Sequence, residues 1–466
     1  MEKIRIGFVP AHREPFDDDW AVQMRKRCLD VLTKVPHLEV VAPDGKLTPG
    51  GLVRDDGDAD KVIKLFKAGG IQGLIIGTMT FGDEVSALSI ASAFEGLPLM
   101  LFGTKEGSFT ADGNRRSDSF CGTLSISSGL YRRKTPFLFA GILFPEDDIF
   151  KKKMSDFVRV CAVVTGFIGA RIGLVGPRPE RFETCICNED AMIQQFKQRV
   201  VPTSLLDIMQ RAKGLKAISP ELQKIISAMK KEADLSILDS EALKNLAGLQ
   251  YALRQFAQEK GLSAMGIQCW TAIQEVYGIS SCYAIGRLTD AGLLTACEVD
   301  IYGALTMLVQ HRVALETTRP HFIDWTIQHQ EKKNVFLSWH CGNAPPSLVC
   351  KGCSINLRSH SILSKPLGEK RTVGTAEFPL KPGVVTLNRL TERDGRFKML
   401  ITRGRIIPSD QALRGSWSWV QVEDLDKLYR TLIKEGFTHH ASLIHGDYTT
   451  AVREACELLA IDTVIV

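Results

Sequence analysis

In the stretch "LLTACEVDIYGALTMLVQ", Leu293 to Gln310, a carboxylate stands among apolar residues that read as a buried helix. At about 100° per residue, Leu294, Glu298, Ile301, Leu305 and Leu308 share one face, so the acid points where the apolar side chains point. Burying an unpaired carboxylate costs several kcal/mol. Glu298 therefore either has a cationic partner in a structural ion pair or lines a site. "HFIDWTIQH" holds a second acid, Asp324, which a strand would carry into an apolar setting. "FLSWHCGNAPP" puts His340 at the end of an apolar run, and "ASLIHGDYTT" does the same with His445. Strand ends are where α/β proteins build sites. A pair of carboxylates with one or two imidazoles suits manganese, magnesium, cobalt or zinc and leaves positions open for substrate oxygens. His12, His37, His311, His439 and His440 read as structural histidines instead.

The elements that must position these groups come in series. "IRIGFVP" (4–10), a helix around 18–34, "LEVVAP", a helix near 59–68, "IQGLIIG" (71–77), a helix near 83–95, "LPLMLFG" (97–103) and "PFLFAGILF" (136–144) alternate as in a doubly wound parallel sheet. No GxGxxG follows the first strand, so a dinucleotide site has no support. A long helix over 146–168 leads to a second series. It begins at "ARIGLVG" (170–176), continues through a loop to a helix near 189–198 and a helical stretch over 203–260, and returns to a strand at "SAMGIQCW" (263–270). The helix bearing Glu298 follows, near 291–313. Beyond about 330 the pattern becomes strand-like alternation with Gly and Asp-Gly turns, and "ERDG" signals a hairpin. The expectation is an α/β protein: doubly wound parallel-sheet domains at 1–168 and 169–330, the second carrying Glu298 and Asp324, then an antiparallel β-barrel-like domain at 331–466 carrying His340 and His445.

At 466 residues, 44% hydrophobic and 24% charged, the chain has globular composition and room for several cores. The net charge of +5 comes from interleaved acids and bases, which speaks against nucleic-acid binding while favouring the approach of an anionic substrate. "MEKIRIGFVP" lacks a signal-peptide core and no run reaches membrane-span length, so a cytoplasmic protein with no membrane partner is expected. Cys350 and Cys353 in "VCKGC", with Cys341 nearby, fall short of the ligands a structural zinc needs and read as free thiols.

"LTDAGLLTACEVDIYGALTM", "FIDW", "WHCGNAP" and "HGDYTTAVREACELLAID" resemble the L-fucose isomerase and L-arabinose isomerase superfamily, and more narrowly the shorter L-fucose isomerase-like proteins. "GPRPERFETCICNED" resembles that group's loop after the first strand of its second domain. The resemblance implies an aldose–ketose isomerase that uses a divalent metal, usually manganese, and assembles as a homo-oligomer, usually a hexamer. It implies Glu298, Asp324 and His445 as metal ligands, with His340 either a further ligand or a partner to a substrate hydroxyl. Glu298 and Asp324 would also form the acid/base pair of a cis-enediol route. Deoxyhexoses, pentoses and sulfonated hexoses are the substrates it leaves open. Gln268 and Trp270 in "GIQCW" are candidate sugar contacts, a loop Gln and a core Trp being the other reading. Asn343 and Asp447 adjoin the histidines as candidate partners, and Arg287 is expected to pair with Asp290. A non-catalytic sugar-binding or regulatory protein on the same scaffold is the competing possibility.

Overall fold

The computed structural model describes residues 3–215 and 219–466. They fall into two compact units, Met1–Thr165 and Gly166–Val466. In the first unit, β1 (Ile4–Ala11), β2 (Leu38–Val41), β3 (Gly73–Thr78), β4 (Leu99–Thr104) and β5 (Leu138–Leu143) form a parallel sheet in the order β2-β1-β3-β4-β5. The β3 and β4 strands are buried along their whole length, as a parallel sheet covered by helices requires. Three of the crossover helices start on an aspartate: Asp17, Asp55 and Asp83 each accept a hydrogen bond from a first-turn N–H.

The second unit opens with another parallel sheet. It contains β6 (Arg171–Val175), β7 (Arg199–Thr203), β8 (Ala264–Ile267) and β9 (Leu294–Cys297), in the order β7-β6-β8-β9. The strand β9 corrects the expected helix over 291–313. Leu294 to Cys297 pair in register with Ala264 to Ile267, and the helix runs only from Ile301 to Val313. Every residue of that helix except Arg312 is buried, so apolar side chains occur on all its faces and the spacing carries no phase that could separate strand from helix. The helical stretch expected over 203–260 is realised as Leu205–Lys213, Pro220–Glu232 and Ser240–Lys260, with residues 216–218 outside the described part.

The remaining strands are β10 (His321–Gln328), β11 (Val335–His340), β12 (Asn356–Ser359), β13 (Val373–Pro379), β14 (Gly383–Arg393), β15 (Arg396–Ile407), β16 (Ser416–Val422), β17 (His440–His445) and β18 (Asp462–Ile465). The pairings β16-β11-β10-β17-β14-β15 are all antiparallel, and β15 pairs back onto β16 to close a barrel. Strands β12, β13 and β18 extend the sheet outside that ring, two of the joins being parallel. The α/β class and the barrel-like last part therefore agree with the sequence. The boundary near 330 does not, because β10, which carries Asp324, is a barrel strand.

Cys350 and Cys353 are joined in a disulfide rather than free: the Cys353 N–H bonds to the Cys350 carbonyl, and this turn brings the Cα atoms to 5.4 Å. Cys341 is buried and unpaired. Arg287 reaches Glu232 at 2.5 Å and Gln250 at 3.0 Å instead of Asp290, which binds Ser347. Among the described residues no helix is long and apolar enough to cross a membrane.

Candidate active site

Glu298 is the first residue beyond β9. Glu298 and Val299 both take left-handed backbone angles, φ 59° and 58°, a conformation that a β-branched residue rarely adopts and that costs about 1–3 kcal/mol each. Two hydrogen bonds hold the turn: Val299 N–H to the Ile267 carbonyl and Asp300 N–H to the Cys297 carbonyl, both 3.1 Å. Gly266 makes room for it, since a Cβ there would lie 2.9 Å from the Val299 carbonyl carbon. Asp300 then caps the helix Ile301–Val313 by accepting the Gly303 N–H at 2.8 Å.

The barrel supplies the facing groups. Asp324 is the Cα partner of His440 on β17 and of Trp339 on β11, and His340 follows Trp339. His440 Nε2 lies 2.8 Å from Glu298 Oε2 and 3.8 Å from Asp324 Oδ1. On the other side of the ring, Nδ1–H donates to Asp300 Oδ2 at 2.8 Å. Asp300 is gripped in turn by both terminal nitrogens of Arg389, a pair buried to 1% exposure on each side. Ligand-capable atoms of Glu298, His340 and His440 lie within 4.8 Å of one another, as do those of Asp324, His439 and His440 and those of Cys185, Asp300 and His440.

The chemistry of this cluster fits a cation. Asp324 Oδ1 and both ring nitrogens of His340 are buried without a hydrogen-bond partner, and Glu298 Oε2 and His440 Nε2 have only each other. Buried polar atoms so poorly matched within the chain are costly unless they converge on a ligand. The Asp300–His440 bond is the carboxylate–histidine arrangement that turns the opposite ring nitrogen toward a metal.

Titration behaviour agrees. Burial, with Glu298 and Asp300 nearby, pushes the Asp324 carboxyl up to about 7. Burial opposes charge on His440, yet Asp300, Cys185 and Glu298 hold its imidazole well above the usual range. Burial and the neighbouring histidines keep His340 neutral. Asp300 is also opposed by burial but is held ionised, below its usual range, by Arg389 and His440. Raised values on both an acid and a base report the same thing, an excess of negative charge in a dry space.

Of the residues singled out in the sequence, the structure brings Glu298, Asp324 and His340 together. It does not bring His445 to them. Strand β17 spans six residues with His440 at one end and His445 at the other, about 16 Å apart at strand rise. His445 Nε2–H donates to the Lys381 carbonyl at 2.9 Å. Asp447, farther on, accepts from Thr449 and pairs with Arg403 at 3.1 Å. Asn343 braces the end of β9, donating to Cys297 Sγ at 3.4 Å with its oxygen 3.2 Å from His321 Nε2. Gln268 and Trp270 are half-buried, and the Trp270 ring stands edge-on to His360 and Phe182 at 5.6 and 6.1 Å.

His440, Asp300 and Arg389 are the members that sequence reasoning missed. His440 opens its strand instead of ending it, and "HH" follows a helix and turn with no apolar run before it. Asp300, two residues beyond Glu298, offered a signal in "CEVD"; Arg389 offered none.

The chain matches the N-terminal domain of the fucose/sulfoquinovose isomerases over residues 7–168 and the C-terminal domain of L-fucose isomerase over residues 338–466. It is 25% identical to a sulfoquinovose isomerase of Alkalicoccus urumqiensis, over 99% of each chain. A sulfoquinovose isomerase of Priestia megaterium (strain ATCC 12872 / QMB1551) is 24% identical, again over 99% of each. One from Clostridium sp. (strain MSTE9) is 25% identical over 84% of this chain and 85% of its own.

Proposed function

The chain belongs to the L-fucose isomerase-like family of aldose–ketose isomerases, and from that premise we propose that it converts the sulfonated aldose sulfoquinovose to its ketose with a divalent metal, manganese, as cofactor. The observation that carries the reading is the buried convergence of ligand-capable atoms at Glu298, Asp324, His340 and His440. Relatives that bear the substrate in their name and match over almost their whole length support the choice of sugar.

Glu298, Asp324 and His440 would hold the ion, with His340 as a fourth donor or as a partner to a sugar hydroxyl. His440 takes the place that the sequence reading gave to His445. When bound, the ion supplies Lewis-acid stabilisation to the negative charge that develops on the sugar's O1 and O2. The chain's own residues handle the protons. Glu298 Oε2 takes the proton from C2 and returns it to C1. Asp324, with its carboxyl near 7, can hold or release a proton at Oδ1 around neutral pH and moves the hydroxyl proton from O2 to O1. In the reverse direction each runs its own transfer backwards, and the intermediate is the cis-enediol. Asp300 fixes the His440 ring, and burial of the cluster keeps bulk water from the enediol.

The test is ketose formation from sulfoquinovose with added manganese, run in deuterated water to read label entering carbon. Glu298→Gln removes the base and is expected to lower kcat by at least about 1,000-fold, with the fold retained by circular dichroism. Full turnover in that variant, or after thorough chelation, overturns the mechanism.

A further inference from the structure

His360 follows β12 and is 1% exposed. Its Nδ1 accepts hydrogen bonds from the N–H groups of Ile362 and Leu363, both 3.2 Å, and this fixes the tautomer: the proton sits on Nε2. That Nε2–H is buried, and among the described residues it has no partner. A capping histidine needs only the δ nitrogen. The ε donor, buried and left over, asks for a ligand.

Its surroundings connect it to the isomerase cluster. The Trp270 ring stands perpendicular to the imidazole at 5.6 Å. Trp270 lies three residues beyond β8, whose last residue, Ile267, pairs with Cys297, the neighbour of Glu298. His360 is one of the groups whose field reaches His340. Arg414 lies at this end, its guanidinium donating to the carbonyl of Ser359 at 2.6 Å and ion-paired with Glu377 at 2.6 Å. A donor that cannot accept suits an oxyanion better than a hydroxyl, which would also ask for an acceptor.

Resting on the proposed isomerase reading, we propose that His360 is a positioning residue for specificity: its Nε2–H binds an oxygen of the anionic group at the end of the sugar remote from C1 and C2, with Trp270 as the wall between. Burial and the Arg414 charge hold the His360 pKa down to about 4, so the group works as a hydrogen-bond donor and not as a charge at neutral pH.

Paired substitutions separate this role from that of the turn. His360→Asn places an amide oxygen where Nδ1 was, keeps the turn and deletes the ε donor. His360→Gln places an amide N–H near the ε position and loses the δ acceptor. Initial rates with manganese on sulfoquinovose and on quinovose, the same sugar without the sulfonate, are the readout. The expected result is a KM for sulfoquinovose raised about 10-fold or more in the Asn variant with kcat within about threefold, the ratio of kcat/KM between the sugars falling with it, and both recovering in the Gln variant. An unchanged Asn variant, or the opposite order with Asn normal and Gln impaired, overturns the proposal and leaves His360 a cap. Should the Asn variant fail to fold, the Gln variant decides alone: a wild-type ratio of kcat/KM between the sugars supports the proposal, and a fallen ratio overturns it. A wild-type protein that does not turn over sulfoquinovose removes the isomerase reading, and this inference with it; a wild type that does, with flat variants, removes the inference alone.

Discussion

Each ring nitrogen of His440 faces a carboxylate, and the two acids do different work. Asp300, ionised and clamped by Arg389, accepts the Nδ1–H hydrogen bond and leaves Nε2 to face Glu298 and Asp324. Asp300→Asn presents a weaker acceptor and permits the wrong tautomer. Manganese affinity, measured by calorimetric titration on folded protein, is expected to fall about 10–100-fold. Thermal stability should fall too, since Arg389 loses its buried counter-charge. His445→Ala supplies the contrast: with its ring on the Lys381 carbonyl, its loss should leave the manganese affinity unchanged. The reverse pattern would return His445 to the ligand set. The sequence could show which residues were chemically able to ligate, and Glu298, Asp324 and His340 stood out as polar interruptions of apolar runs. It could not show which end of a strand meets which neighbour. His440 and His445 bracket one strand, and only the pairing of His440 with Asp324 decides between them.

Periodicity succeeds as an element signal when one face is wet and fails when none is. The first unit was legible because short apolar runs alternate with helices that have one wet face, and the Glu392–Gly395 hairpin because of its Asp-Gly turn; the β9 strand with its following helix, buried on all sides, was illegible. What the run 293–310 conceals is the left-handed turn at Glu298 and Val299, which aims the carboxylate at the barrel strands. The turn depends on Gly266. A methyl group there would meet the Val299 carbonyl carbon at 2.9 Å and its Cα at 3.0 Å, and backbone cannot step aside as a flexible side chain would. Gly266→Ala is therefore expected to cost about 1–3 kcal/mol of stability in urea unfolding. It should also lower kcat and manganese affinity together, because Glu298 moves with the turn. Gly45→Ala, with nothing within 4 Å of the added carbon, should change neither. Equal behaviour of the variants would mean that the turn is not what positions the acid.

At the scale of the molecule, the second unit stores several neutral imidazoles. Burial and the Arg319 charge lower the pKa of His311 to about 4, burial lowers that of His321 to about 3, and burial with Arg414 lowers that of His360 to about 4. In the unfolded chain each would titrate near 6.5. Between about 4 and 6.5 the unfolded chain therefore binds more protons than the folded one, and stability rises with pH across that window. The contribution is complete above pH 6.5 and is lost as the solution is acidified, by about 2 kcal/mol per histidine between pH 7 and pH 5. Tryptophan fluorescence reports on the correct unit, since Trp20 alone of the six tryptophans lies outside Gly166–Val466. Urea unfolding followed that way should show a lower midpoint at pH 5 than at pH 7. His311→Gln cannot take up the proton, so the difference between the two pH values should shrink by about 2 kcal/mol in that variant. The comparison isolates one imidazole from His440, whose raised pKa works in the opposite sense. A His311→Gln protein with the pH dependence of the wild type would show that this buried ring already carries its proton in the fold.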